Sequence, residues 1–102
     1  MAIIHVNTLA ELDALTKEHT VIVDFFATWC GPCQLMGPIF EDLAKKHTNL
    51  KFVKVDVDQG QEVCIKYGVR SMPTFVLFKG GDVVKKFTGA SKTDLNNMVN
   101  QA

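Results

Sequence analysis

The sequence predicts an α/β domain, with one mixed β-sheet carrying helices on both faces. Three observations lead there. Short apolar runs of strand character alternate with stretches of helical periodicity in the order β-α-β-α-β-α-β-β-α. Residues 21–27, Val-Ile-Val-Asp-Phe-Phe-Ala, are apolar on both alternating faces, the pattern of a central strand covered on both sides. Finally, Lys79-Gly80-Gly81-Asp82 joins the last two strand-like runs as a hairpin, adding an antiparallel edge to early βαβ units whose crossovers are right-handed.

Each element has its own signal. Ile3, Ile4 and Val6 suggest a short first strand. Thr8-Leu9-Ala10-Glu11 is a capping box: the Thr hydroxyl serves a free backbone N–H and Glu11 reaches back. Leu9, Leu12 and Leu15 then share a face, predicting a helix over 9–18. After the strand at 21–27, Leu35, Ile39 and Leu43 recur every four residues, as do Met36, Phe40 and Ala44, so 33–46 reads as a helix, with a kink expected at Gly37-Pro38. Residues 50–57 form a third strand. A weaker helix covers 59–67, started near Asp58 and ended by Gly68. Residues 73–78 form a fourth strand, with Pro73 at its tolerant first position, and 83–87 return antiparallel. Ser91-Lys92-Thr93-Asp94 resembles a capping box for a closing helix whose apolar face is Leu95, Met98 and Val99.

Bulk properties narrow the function. With 102 residues, 1–102 make a single domain, and a 47% hydrophobic fraction builds a core without disulfide staples. The formal net charge is +0, from 11 basic and 11 acidic residues, which predicts neither nucleic acid nor an anionic membrane as partner. Three cysteines are too few, and odd in number, for a secreted disulfide scaffold. No secretory signal or membrane span is expected from the start of the chain, so a reducing, cytoplasmic compartment is the default, with a removed leader left open.

The chemistry centres on Trp29-Cys30-Gly31-Pro32-Cys33. A Cys-x-x-Cys where a strand feeds a helix is a redox signature. The competing reading is half of a zinc site. Structural zinc needs four ligands, and Cys64, His5, His19 and His47 offer no second close-spaced pair, so no metal is expected. Cys30 sits at the predicted helix start, where free N–H groups and the helix dipole favour a thiolate, the nucleophile of disulfide exchange.

Several further residues carry readings of their own. Asp24 interrupts an apolar strand. It is a core carboxyl with a desolvation-raised pKa and a role at the thiols, or one hydrogen-bonded within the core, or one on an exposed face. Lys54, beside Phe52 and Asp56 on its face, either snorkels to solvent or pairs with Asp24. Trp29 is a core aromatic or a wall of the site. Gly89 alone reads as a turn residue. Cys64, between Val63 and Ile65, is a small buried hydrophobe or a modifiable, dimer-forming thiol. The three histidines and the pairs Lys45-Lys46 and Lys85-Lys86 read as solvated. On spacing alone the Met72–Pro73 bond is expected trans.

Phe25-Phe26-Ala27-Thr28-Trp29-Cys30-Gly31-Pro32-Cys33, together with Asp24, Pro38, Val55-Asp56-Val57-Asp58, Met72-Pro73-Thr74 and Phe87-Thr88-Gly89-Ala90, closely resembles the thioredoxin family across essentially the whole chain. The resemblance implies a thioredoxin fold: a five-stranded mixed sheet in order 1-3-2-4-5 flanked by four helices. It implies a protein-disulfide reductase active in electron transport and cell redox homeostasis, with Cys30 attacking, Cys33 resolving and a Cys30–Cys33 disulfide as product. Asp24 would assist proton transfer at Cys33, tuned by Lys54. A cis Met72–Pro73 bond would pack against the thiols, and Trp29, Gly31, Pro32, Met72, Pro73, Gly89 and Ala90 would form an apolar contact surface for protein clients. No cofactor would be bound. Electrons would come from NADPH through a thioredoxin reductase, and clients would be disulfide-containing proteins such as peroxiredoxins or reductases, met by a monomer. The chain departs from the family pattern at Gln34, where lysine is common, at Gly37, where a larger residue is usual, and in the extra Cys64. Two rival functions remain. One is a disulfide oxidase or isomerase, against which Gly31-Pro32 argues, because such relatives usually carry a histidine there. The other is a binding module that uses the apolar surface without turnover.

Overall fold

The computed structural model describes residues 3–102. Five strands, β1 (Ile3–His5), β2 (Val21–Phe26), β3 (Lys51–Asp56), β4 (Thr74–Lys79) and β5 (Asp82–Thr88), form one sheet in the order β1-β3-β2-β4-β5. The first three run parallel, while β4 is antiparallel to β2 and β5 to β4. Among the described residues there are four helices: α1 (Leu9–Glu18), α2 (Gly31–Lys46), α3 (Gln61–Lys66) and α4 (Lys92–Gln101). The element order is the one expected from the sequence pattern, and the sheet order is the one the resemblance implies.

Alternation along β2 divides the core. Val21, Val23 and Phe25 point to the side holding Leu12 of α1 and Val63 of α3. Ile22 points to the other side, with Met36, Phe40 and Ala44 of α2 and Leu95, Met98 and Val99 of α4. Rings cluster there: Phe40 meets Phe52 edge-on at 5.2 Å, and Phe75 stacks on Phe87 at 5.0 Å.

Most boundary differences have local causes. Helix α2 begins at Gly31 because Cys30 is its N-cap and Pro32 fits a first turn that needs no N–H. Pro38 lies inside α2, which runs on without a break. The stripe Met36, Phe40 and Ala44 is buried, but Leu35 of the parallel stripe is 65% exposed. Helix α3 starts at Gln61 with Gly60 as N-cap, not near Asp58. A side chain at Gly60 would place Cβ 2.7 Å from Val55 Cγ1, so the chain can turn against β3 there only as glycine. Strand β4 begins at Thr74, since Pro73 has no N–H for the ladder. The predicted caps form: Thr8 and Glu11 make a full capping box, and Ser91 Oγ accepts from the Asp94 N–H at 3.1 Å. Strand β5 is an exposed edge whose register with β4 shifts between Leu77 and Phe78.

Candidate active site

The parallel strand β2 ends beside the start of α2, and Cys30 and Cys33 lie at that junction. They are joined as a disulfide, with Cα atoms 5.3 Å apart. Cys30 Sγ accepts the Cys33 N–H at 3.2 Å, so the sulfur itself caps one of the free donors of the helix start. Exposure barely separates the two residues, at 7% for Cys30 and 5% for Cys33. The reading of Cys30 as an exposed attacker therefore rests on its cap position and on the exposed Trp29, Gly31 and Pro32 around it. With Ala27 the pair forms a small apolar cluster against Phe26, Val57 and Met72.

Trp29 is 66% exposed, which removes the core reading. Its indole N–H donates to Asp58 Oδ2 at 3.1 Å, and the Asp58 N–H donates to Asp56 Oδ1 at 2.9 Å. Sequence reasoning treated Asp58 as a helix starter and missed this tether. A carboxylate at a strand end leaves no pattern that points 29 residues back. Gln34, where lysine was expected by resemblance, donates its side-chain amide to the Thr28 carbonyl at 3.1 Å and ties α2 to the turn that carries Trp29.

Across the disulfide the Met72–Pro73 peptide is cis, as the resemblance implies and spacing alone does not. The Met72 carbonyl oxygen lies 3.6 Å from Cys30 Sγ. Met72 is half-buried and Pro73 buried. The Pro73 carbonyl accepts the Gly89 N–H at 2.9 Å, so Gly89 braces this loop, and Ala90 follows it, exposed. Thr74 Oγ1 donates to the Ser71 carbonyl at 2.6 Å and shares a 3.0 Å bond with the Thr88 hydroxyl.

Asp24 is 1% exposed and lies on the face of β2 covered by α2. Among the described residues its Oδ1 has no hydrogen-bond partner. Burial pushes its pKa from 3.8 up to about 7, against a smaller pull downward from the Lys54 charge. Burial therefore removes the exposed-face reading, and no described residue hydrogen-bonds to Oδ1. Lys54 is opposite Asp24 in the β2–β3 register and half-buried, and its ammonium sits 5.2 Å from the Phe26 ring centroid. Its link to Asp24 is through space and not a direct hydrogen bond to Oδ1. A cleft of about 360 Å³ opens beside Cys33, lined by Phe26, Gln34, Gly37 and Lys54 among others. A Cβ at Gly37 would stand 3.7 Å from Lys54 Nζ, so glycine leaves that ammonium uncovered.

Cys64 is 8% exposed within the α1–α3 core, and burial, then the charges of Asp56 and Asp58, push its thiol pKa up. That favours the inert reading. His5 and His19 are exposed, whereas His47 is half-buried as the C-cap of α2. Among the described residues no three His, Cys, Asp or Glu side chains gather as a metal site.

The thioredoxin family model matches residues 4–101. Thioredoxin H4 of Arabidopsis thaliana is 53% identical over 95 residues, covering 89% of this chain and 80% of that protein. Thioredoxin of Mycoplasmoides gallisepticum is 46% identical, over 83% of this chain and 86% of its own. Among solved structures, a cysteine-to-serine mutant of Entamoeba histolytica thioredoxin superposes with a TM-score of 0.93 at 51% identity, covering 98% of this chain and 99% of that one. Oxidised mitochondrial thioredoxin 3 of Saccharomyces cerevisiae gives 0.94 at 36% identity, covering 99% and 96%.

Proposed function

Because the chain belongs to the thioredoxin family and is a thiol-disulfide oxidoreductase that reduces protein disulfides, we propose the following division of labour among its residues. The observation that carries it is a helix-capping sulfur, Cys30, bonded to Cys33 on the sheet face that buries Asp24.

In the reduced chain the Cys30 thiolate, held by the Cys33 N–H and the α2 dipole, attacks one sulfur of a client disulfide. A Cys30–client bond forms, the client S–S bond breaks, and the client's other sulfur leaves as a thiolate. Cys33 then gives its proton to the Asp24 carboxylate and attacks Cys30 Sγ. The mixed disulfide breaks, the client leaves as a dithiol once protonated, and two electrons have passed from the cysteine pair. A group with a pKa of about 7 can hold and release that proton near neutral pH. Lys54 tunes Asp24 through its charge.

Trp29, Gly31, Pro32, Met72, Pro73, Gly89 and Ala90 make the client surface, with an extended client segment pairing to the backbone at Met72. Electrons return from NADPH through a thioredoxin reductase, with no cofactor held by the chain. The clients are disulfide proteins of the peroxiredoxin and reductase kind, the chain works as a monomer, and its compartment is the cytoplasm. The balanced charge and sparse cysteines support that placing. Among the described residues no helix is long and apolar enough to cross a membrane.

The test is NADPH-driven reduction of insulin by a thioredoxin reductase and this chain. Wild type turns over, Cys30→Ser is silent, and Cys33→Ser stalls as a mixed disulfide. Full activity in Cys30→Ser overturns the assigned nucleophile.

A further inference from the structure

The segment that brings Met72 to the disulfide is anchored at both ends by groups that take no part in the exchange. Its downstream anchors are the Gly89–Pro73 bond and the Thr74–Ser71 bond. Upstream, α3 is six residues long and closes at Tyr67 and Gly68, leaving end carbonyls in need of donors. The chain meets some of them itself: Val69 N–H donates to the Cys64 carbonyl at 3.0 Å, and Gly68 N–H to that of Ile65 at 3.3 Å.

The Tyr67 carbonyl is met from another element. Lys86 Nζ of β5 donates to it at 2.8 Å and to the Gly68 carbonyl at 3.4 Å. Gly68 has φ +64, and a Cβ on it would stand 3.7 Å from that ammonium. Alternation on β5 gives Lys86 this role. Phe87 stacks on Phe75 and Lys85 bonds Gln101 of α4, so both face the α4 side, whereas Lys86 faces α3. Tyr67 is held in turn by an edge-on contact with Phe78 at 5.2 Å. A cation on helix-end carbonyls satisfies both their hydrogen bonds and their partial negative charge.

We propose that Lys86 is a positioning residue for client recognition: its ammonium caps the end of α3 from the sheet edge and so fixes the path of residues 69–72, which present the Met72 backbone to a protein client. The inference rests on the reading that clients pair with that backbone. Its consequence is selective, because a small disulfide needs the sulfurs but not the groove.

The experiment compares Lys86→Met, Lys86→Arg and Lys85→Met, using insulin and the small aromatic disulfide dithiobis(nitrobenzoate) as substrates, with backbone amide exchange at Gly68 and Val69. In Lys86→Met the insulin-to-small-disulfide rate ratio falls about threefold, through KM and not kcat, as expected for loss of a helix-end cation. Exchange at Gly68 and Val69, whose N–H groups are bonded within the helix end, quickens alongside it. Lys86→Arg restores both readouts, and Lys85→Met moves neither. Equal slowing of both substrates, or unchanged exchange at Gly68 and Val69, overturns the role of Lys86. A wild-type chain that fails to reduce insulin would instead bring down the client reading itself.

Discussion

The two faces of the sheet are built from the same strands and solve different problems. On the α1–α3 face the inward residues of β2 and β3 are Val21, Val23, Phe25, Val53 and Val55, all fully buried. On the α2–α4 face the corresponding positions are Ile22, Asp24 and Phe26, then Phe52, Lys54 and Asp56. One face is apolar along β2, with the half-buried Lys51 opposite Val21 at its entrance and no buried charge. The other is apolar at its lower end and carries a carboxylate, a cation and a cleft where it nears the disulfide. A buried charge is costly wherever it lies, so the stability supplied by the first face and by the ring cluster of the second is what permits a buried Asp24.

The largest effect is expected from copying the charge to the wrong face. Val23 pairs with Val53 and is fully buried, with no cation opposite. Val23→Asp should therefore cost at least about 4 kcal/mol at neutral pH, read as a lost or much lowered urea midpoint. A midpoint near wild type would mean the two faces do not differ in polarity tolerance.

Removing the charge from the right face comes next. The native state keeps the Asp24 proton up to about pH 7, while the unfolded chain releases it near 3.8, so ionisation lowers stability progressively across that window and by a constant amount above it. Asp24→Asn should gain little near pH 4 and on the order of 2–4 kcal/mol at pH 8, while slowing resolution of the mixed disulfide. A pH-independent gain would sink the assignment. Lys54→Met is a smaller perturbation. It removes the downward pull on Asp24, so the carboxyl titrates above about 7 and the pH profile of resolution moves alkaline. NMR titration of the Asp24 carboxyl checks this, and no movement breaks the coupling. Smallest is Cys64→Ala on the apolar face, expected to cost about 1 kcal/mol in thermal unfolding and to leave insulin reduction unchanged.

The comparison also explains what could be read in the sequence. Alternation in β2 and the caps at Thr8 and Ser91 are local signals, and they placed the strands, the helices and the buried Asp24. The disulfide pair was legible because its spacing is short. Tethers between distant segments were not. Nothing near Asp58 announces Trp29, and Lys86 looks like half of a solvated Lys85-Lys86 pair until the sheet turns the two to opposite sides. Leu35 fitted a helical stripe but lies outside the contact α2 makes with the sheet. The cis Met72–Pro73 bond came only from the family resemblance, because its requirement is set by packing across the site.

The register shift between Leu77 and Phe78 has a consequence for how copies of the chain meet. Strand β5 is a free edge with Val83 and Val84, 44% and 53% exposed, which makes it a template for another strand. The irregular register interrupts the flat run of backbone donors and acceptors that such pairing needs, and Lys79, Lys85 and Lys86 set positive charge along the same hairpin. A second copy approaching edge to edge would bring lysines against lysines. The interrupted register and the lysines of this hairpin both oppose strand addition at the β5 edge.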